Sequence, residues 1–178
     1  MWSVRRFANI WRMEEHPIVQ HIPRLRRYAR ALAIDRYAAD DLVQDTLERA
    51  WNKFHLWRPG SDLRAWLFSI MHNLFVNQIR GRRHQLEQAT DDPPAVPVRA
   101  TQSDAIEIAD LDRALGRLTV EHREVLLLVA VEQMSYSEVS LTLDIPMGTV
   151  MSRLARARER LRAMLDGSAA VVPLKVVK

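Results

Sequence analysis

The sequence predicts an all-α protein of two small helical domains joined by a flexible, acidic and proline-rich linker. Three observations carry this. Glycine is scarce, five in 178 residues, and runs of β-branched residues are few, which favours helix over strand. Apolar residues recur at helical spacings on both sides of residues 88–103. Those residues, QATDDPPAVPVRATQS, hold three prolines and many small or polar side chains and have no helical period, the pattern of a linker. From Glu87 to Asp112 seven acids stand against one Arg, in a chain whose net charge is +4. The expected layout is an extension at 1–15, a domain at 16–87, the linker at 88–103, a second domain at 104–168 and a tail at 169–178.

In the first block, Ile18 to Ile34 reads as a helix rich in Arg (24, 26, 27 and 30). Next comes DDLVQDTLERAW, Asp40 to Trp51, where Leu42, Val43, Leu47, Ala50, Trp51 and Phe54 form one helical stripe. Asp41, Gln44, Asp45 and Glu48 lie on the other face, an acidic surface in a basic chain. Arg58 to Asp62, RPGSD, breaks the chain, and Ser61 or Asp62 can cap the next helix. That helix is LRAWLFSIMHNLFVNQIRGRR, Leu63 to Arg83, apolar and aromatic at first and ending in Arg80, Arg82 and Arg83 beside Gly81. Trp51 and Trp66 sit in apolar stripes, which favours core packing over base stacking.

The second block carries four helix signals. Ile108, Leu111, Leu115 and Leu118 recur at steps of three and four, and the apolar run after Thr119 predicts a buried helix. Ser135 to Leu143 opens with a capping box, Ser135 with Glu138 three residues on. After the short turn Asp144-Ile145-Pro146 a last helix runs from Met147 to Leu165, its buried face expected at Val150, Leu154, Ala157, Leu161 and Leu165. A short capped helix, a turn and a longer helix make a helix-turn-helix. From Met147 to Leu165 there are five Arg and one Glu, so this helix suits nucleic acid, with Arg in its N-terminal half placed for guanine edges and later Arg for phosphates.

Other functions are poorly served. There is no cysteine, which excludes disulfides and Cys-ligated zinc. The six histidines never fall at i, i+4, so no metal site and no cofactor are expected. No acid–base pair, nucleophile constellation or phosphate-cradling Gly loop is visible, so no catalytic residue is assigned and the chain reads as no enzyme. No segment approaches a membrane span or a signal peptide, which predicts a cytoplasmic protein.

SYSEVSLTLDIPMGTVMSRLARARERL, Ser135 to Leu161, resembles the minus-35-reading domain of extracytoplasmic-function sigma factors. DDLVQDTLERAW with DLRAWLFSIMHNLFVNQIRGRR resembles the polymerase-binding and minus-10-reading parts of the same family, and the two together span residues 16 to 168. The resemblance implies roles. Asp41, Gln44, Asp45 and Glu48 would dock on core RNA polymerase, on the clamp helices of its β′ subunit, with β contacts elsewhere. Loop Arg58 to Asp62 would receive a flipped minus-10 base. Arg64, Asn73, Asn77, Arg80, Arg82 and Arg83 would meet melted promoter DNA, and Thr149, Met151, Ser152, Arg153, Arg156 and Arg158 the minus-35 element. An anti-sigma factor would hold the chain, a monomer when free, inactive. A sigma-like decoy that binds an anti-sigma factor without reading DNA is the alternative. The acidic linker would thread through the polymerase, mimicking nucleic acid. Residues 1–12 precede the resemblance, and Met13 offers an alternative start.

Departures from the family pattern fall at informative places. Gln133 and Asp144 stand where relatives often have Gly, and Asp tolerates the left-handed backbone such a turn needs. Ser140 replaces a usual Ala, and its hydroxyl is expected to bond back to the i−4 carbonyl. Met151 and Ala155 stand where relatives often carry larger or charged groups.

Overall fold

The computed structural model describes residues 16–33, 35–88 and 104–169, with side chains at 16–33, 35–81 and 111–165. All regular structure among these residues is helical. The chain divides into two compact units with the main boundary between Glu87 and Gln88, the short stretch Leu141–Asp144 grouping with the first.

In the first unit a single 3-10 turn, Val19–His21, leads into α1 (Ile22–Leu32). Pro23 sits in its first turn, where a missing N–H breaks no helical bond. Leu25, Tyr28, Ala29 and Leu32 form its buried stripe, leaving Arg24, Arg26, Arg27 and Arg30 exposed. α2 (Arg36–Lys53) is capped by Asp35, whose carboxylate accepts from the backbone N–H of Tyr37 at 3.3 Å and Ala38 at 3.2 Å. It buries Ala39, Leu42, Val43, Thr46 and Ala50 and packs on α1. The Thr46 hydroxyl is satisfied locally, donating to the Leu42 carbonyl at 2.6 Å. Asp62 caps α3 (Leu63–Gln88), accepting from the N–H of Arg64 at 2.8 Å and Ala65 at 3.3 Å. Gly60, at φ 92°, makes the preceding turn possible. Tyr28 meets Phe68 edge to face, ring centroids 5.0 Å apart, at the centre of this three-helix core.

α3 extends past Arg83, where the sequence reading ended it, to Gln88. Gly81 lowers helix propensity by about 1 kcal/mol relative to Ala but does not stop a helix, and no proline follows it until residue 93. Trp51, expected in the core, is 41% exposed at the end of α2. Its ring instead lies 4.5 Å from that of His16. The stripe that contains it closes at Ala50, one residue earlier.

The second unit comprises α4 (Asp104–Arg117), α5 (Val120–Ala130), α6 (Tyr136–Leu143) and α7 (Met147–Ala169). α5 is the buried helix the apolar run predicts: Arg123 to Leu128 are all buried. Leu111 is exposed, because α4 turns Ala114, Leu115 and Leu118 inward instead. The side chain of Ile108 lies outside the described residues. α7 packs on α5 and α4 through Val150, Leu154 and Ala157. Burial then fades along it, with Leu161 half-buried and Leu165 at the surface, contrary to the expected stripe.

Buried Arg123 closes the end of α4. One guanidinium nitrogen donates to the Gly116 carbonyl at 2.9 Å and to the Leu118 carbonyl at 3.1 Å, groups a helix end leaves without intrahelical partners. The capping box forms: the Ser135 N–H donates to Glu138 Oε2 at 2.6 Å, and the Glu138 N–H donates to Ser135 Oγ at 3.2 Å. Ser135→Ala is expected to destabilise the chain by about 1 kcal/mol, with Ser135→Asp losing much less, in urea unfolding followed by circular dichroism. Gln133 (φ 54°) and Asp144 (φ 52°) both adopt the left-handed backbone. The Ser140 hydroxyl does not bond back to its own helix. It donates forward to the Ile145 carbonyl at 2.6 Å, across the turn, because the left-handed Asp144 folds that carbonyl back over the end of α6.

Candidate nucleic-acid interface and partner-docking face

Asp41, Gln44, Asp45 and Glu48 are all exposed on α2, the faces opposite being filled by Leu42, Val43 and Thr46. Gln44, Asp45 and Glu48 border two depressions, with Glu48 shared by both. Gln44 and Glu48 line a groove of about 850 Å³ whose opposite wall is Arg26 and Arg30 of α1, with Val43, Leu47 and Trp51 contributing its apolar surface. Asp45 faces the other way. It accepts from Gln78 Nε2 at 3.4 Å and borders a second depression with Arg49, Asn52 and Lys53, which Glu48 also touches. Opposite charges across an apolar floor suit an amphipathic partner helix. Sequence reasoning missed Arg26, Arg30 and Trp51 in this role. Only the packing of α1 on α2 brings them to the acidic residues.

On α3, Asn73 and Asn77 are exposed one turn apart on a single face. Asn73 Nδ2 donates to the Ser69 carbonyl at 2.9 Å, which turns its amide oxygen outward as an acceptor. Arg80 is exposed one turn beyond Asn77. Arg64 is half-buried, its guanidinium 3.5 Å from the Asp62 carboxylate. The side chains of Arg82 and Arg83 lie outside the described residues, as does the span 89–103 expected to form most of the linker.

On α7 the helical period sorts the expected residues. Ser152 and Arg156 stand opposite the buried stripe of Val150, Leu154 and Ala157. Arg153 and Arg160 flank it on one side, Met151 and Arg158 on the other. Thr149, half-buried, aligns with Arg153. The Arg153 flank meets the first turn of α5. A hydrogen bond from its own backbone, another from Thr119 and the nearby Arg153 charge hold the Glu121 carboxyl below its usual range, against the opposing effect of its burial. Burial and the charge of Arg160, whose guanidinium lies 3.4 Å from His122 Nδ1, push His122 below the ordinary imidazole range. Arg153, expected to face outward, is half-buried, and its charge acts on the Glu121 carboxyl of its own chain. Neither Glu121 nor His122 was marked by any sequence signal, since they reach α7 only through the packing of α5.

No group of three potential metal-ligating side chains occurs among the described residues, and no helix among them is long and apolar enough to cross a membrane.

Comparison with known proteins places both units. A family model for the sigma2 domain of PhyR matches residues 18–72, and one for sigma-70 region 4 matches residues 108–161. The ECF RNA polymerase sigma factor EcfG of Rhodopseudomonas palustris (strain TIE-1) is 38% identical over 155 residues, 85% of each chain. The sigma factor RpoE from Bartonella quintana, solved in complex with the anti-sigma factor NepR, is similar at TM-score 0.78 and 32% identity, covering 87% of this chain and 98% of that one. The anti-anti-sigma factor PhyR from the same organism, complexed with NepR, shares the fold at TM-score 0.56 and 20% identity, over 83% of this chain and 49% of that one.

Proposed function

The chain belongs to the extracytoplasmic-function RNA polymerase sigma factors, a family of transcription regulators rather than enzymes, and on that premise we propose how its surfaces divide the work of promoter recognition. The α1–α2 groove and the acidic face of α2 dock on the core polymerase, with Gln44 and Glu48 in the groove and Asp41 and Asp45 beside it. Asn73, Asn77 and Arg80 meet the melted minus-10 strand, with Arg64 near the loop that receives a flipped base and Arg82 and Arg83 following on the same helix. The exposed surface of α7 reads the minus-35 duplex. Residues 16–87 and 104–168 act as the two reading domains, joined through the acidic linker. The reading takes the protein to act in the cytoplasm.

The observation that carries this proposal is a pair of local surfaces of opposite charge: the exposed Arg residues of α7 in one unit and the exposed acidic face of α2 in the other. A duplex repels carboxylates, so the two surfaces suit different partners. Reconstitution with core polymerase on DNA from upstream of the chain's own operon tests it. A start-site-specific transcript is expected, and its absence with a demonstrably active core would sink the proposal.

Trp51 gives a finer test of the docking face. An exposed indole beside Arg26, Arg30 and Glu48 has the features of a binding hot spot. Trp51→Ala is expected to weaken binding to core polymerase by about 2 kcal/mol, roughly thirtyfold, with smaller losses for Asp45→Ala. Both should leave the melting temperature nearly unchanged, because these side chains are exposed.

Control by an anti-sigma factor fits the same surfaces, in keeping with the complex in which the Bartonella quintana sigma factor was solved. The first unit's match to the PhyR sigma2 model favours a second reading, a decoy that binds an anti-sigma factor without reading DNA. Against it stand Arg156, Arg158, Arg160 and Arg162, on the outward part of α7, which a decoy has no need to keep. The transcription assay separates the two, since a decoy yields no transcript.

A further inference from the structure

The first two turns of α7 have a surface chemistry that the Arg-rich character of the helix conceals. Residues 147–155 hold one charge, Arg153, and it is half-buried on the flank facing Glu121. What points outward is Met147, Gly148, Met151, Ser152 and Ala155. The two methionines, one turn apart, are 49% and 50% exposed. At Gly148 even an added Cβ would meet open space. The exposed cations, Arg156, Arg158, Arg160 and Arg162, all come later.

In a helix-turn-helix the N-terminal part of the second helix meets base edges. In the major groove the one apolar feature a base edge presents is the 5-methyl of thymine. Resting on the minus-35 role proposed for this helix, we propose that the first two turns of α7 recognise thymine methyl groups, with Met151 as the residue in contact. Its flexible thioether side chain fits irregular apolar surfaces, and Gly148 and Ala155 beside it leave room for a base edge to approach. The strip of two methionines and an alanine is far smaller than a stable protein interface requires. The cations that continue the same helix complement phosphates on either side of the groove.

The test uses the full chain with core polymerase. The preferred minus-35 element is first selected from a randomised duplex library. Each thymine in it is then replaced singly by deoxyuridine, which removes the methyl and keeps every hydrogen-bonding group. At one or two positions the wild type is expected to lose about fourfold in affinity, the scale set by burial of a single methyl. Met151→Ala should be insensitive at those same positions, and Met151→Leu should recover the sensitivity. Three results overturn the inference while leaving the sigma reading standing: no position sensitive in the wild type, undiminished sensitivity in Met151→Ala, or a selected element without an A·T pair. If selected and scrambled DNA bind alike, the minus-35 reading falls and the inference falls with it.

Discussion

Arg123→Ala is expected to be the most damaging single change outside the apolar core, lowering stability by about 3 kcal/mol, from two hydrogen bonds to a charged donor at roughly 1.5 kcal/mol each. The side chain is 4% exposed and holds the Gly116 and Leu118 carbonyls at the end of α4. Without it, the Leu118 carbonyl is left in a site water does not easily reach, and the stem's packing is lost as well. For a domain of this size the melting temperature should fall by about 12–24 °C. Arg123→Met refills the volume and should recover only part of the loss, which separates the polar contribution from packing. A change below about 1 kcal/mol in chemical denaturation of the full chain would contradict the capping role, since even one neutral hydrogen bond contributes about that much.

The second large effect concerns DNA. Arg156 stands opposite the buried stripe of α7, is exposed, and lies at the border between the apolar first turns and the cationic remainder. As a base-reading residue its replacement by Ala should weaken binding to the preferred minus-35 element by about 1–3 kcal/mol and relax discrimination against scrambled DNA. Arg158, on the flank, should behave as a phosphate contact: Arg158→Ala weakens all sequences alike and lowers the salt slope by about one unit. Competition binding at several salt concentrations, with the chain assembled on core polymerase, distinguishes the two. Identical behaviour of both variants would contradict the assignment of separate faces.

Local chemistry was legible in the sequence; what depends on packing between helices was not. The capping box at Ser135 and Glu138, the Asp62 cap and the left-handed turn at Asp144 each depend on residues within a few positions of one another, and each forms. The buried run of α5 was plain from its apolar content. Leu111 and Leu165 were misplaced because a stripe at steps of three and four identifies a helix face but not where neighbouring helices stop covering it. Trp51 failed for the same reason, since an aromatic at the edge of a stripe is as well suited to a docking face as to a core. Arg153 and Arg123 show the limit most clearly. Arg153 reads as a DNA-facing cation and is half-buried, and Arg123, which no sequence pattern marked, is buried where it donates to two carbonyls at a helix end. Asp41, Gln44, Asp45 and Glu48 of α2 and Asn73, Asn77 and Arg80 of α3 were readable as exposed polar residues, whereas Arg64 is half-buried. The groove formed with Arg26 and Arg30 required the pairing of α1 with α2.

The short bond from the Ser140 hydroxyl to the Ile145 carbonyl has a consequence for how promoters are found. Together with the Ser135 capping box it braces α6 at both ends, and the second brace spans the turn that sets the angle between α6 and α7. A reading helix held this way reaches DNA already in its working orientation. Little conformational freedom then remains to be lost on contact, so more of the interaction energy is available for telling one sequence from another. Such rigidity leaves this reading helix fixed within its own helix pair.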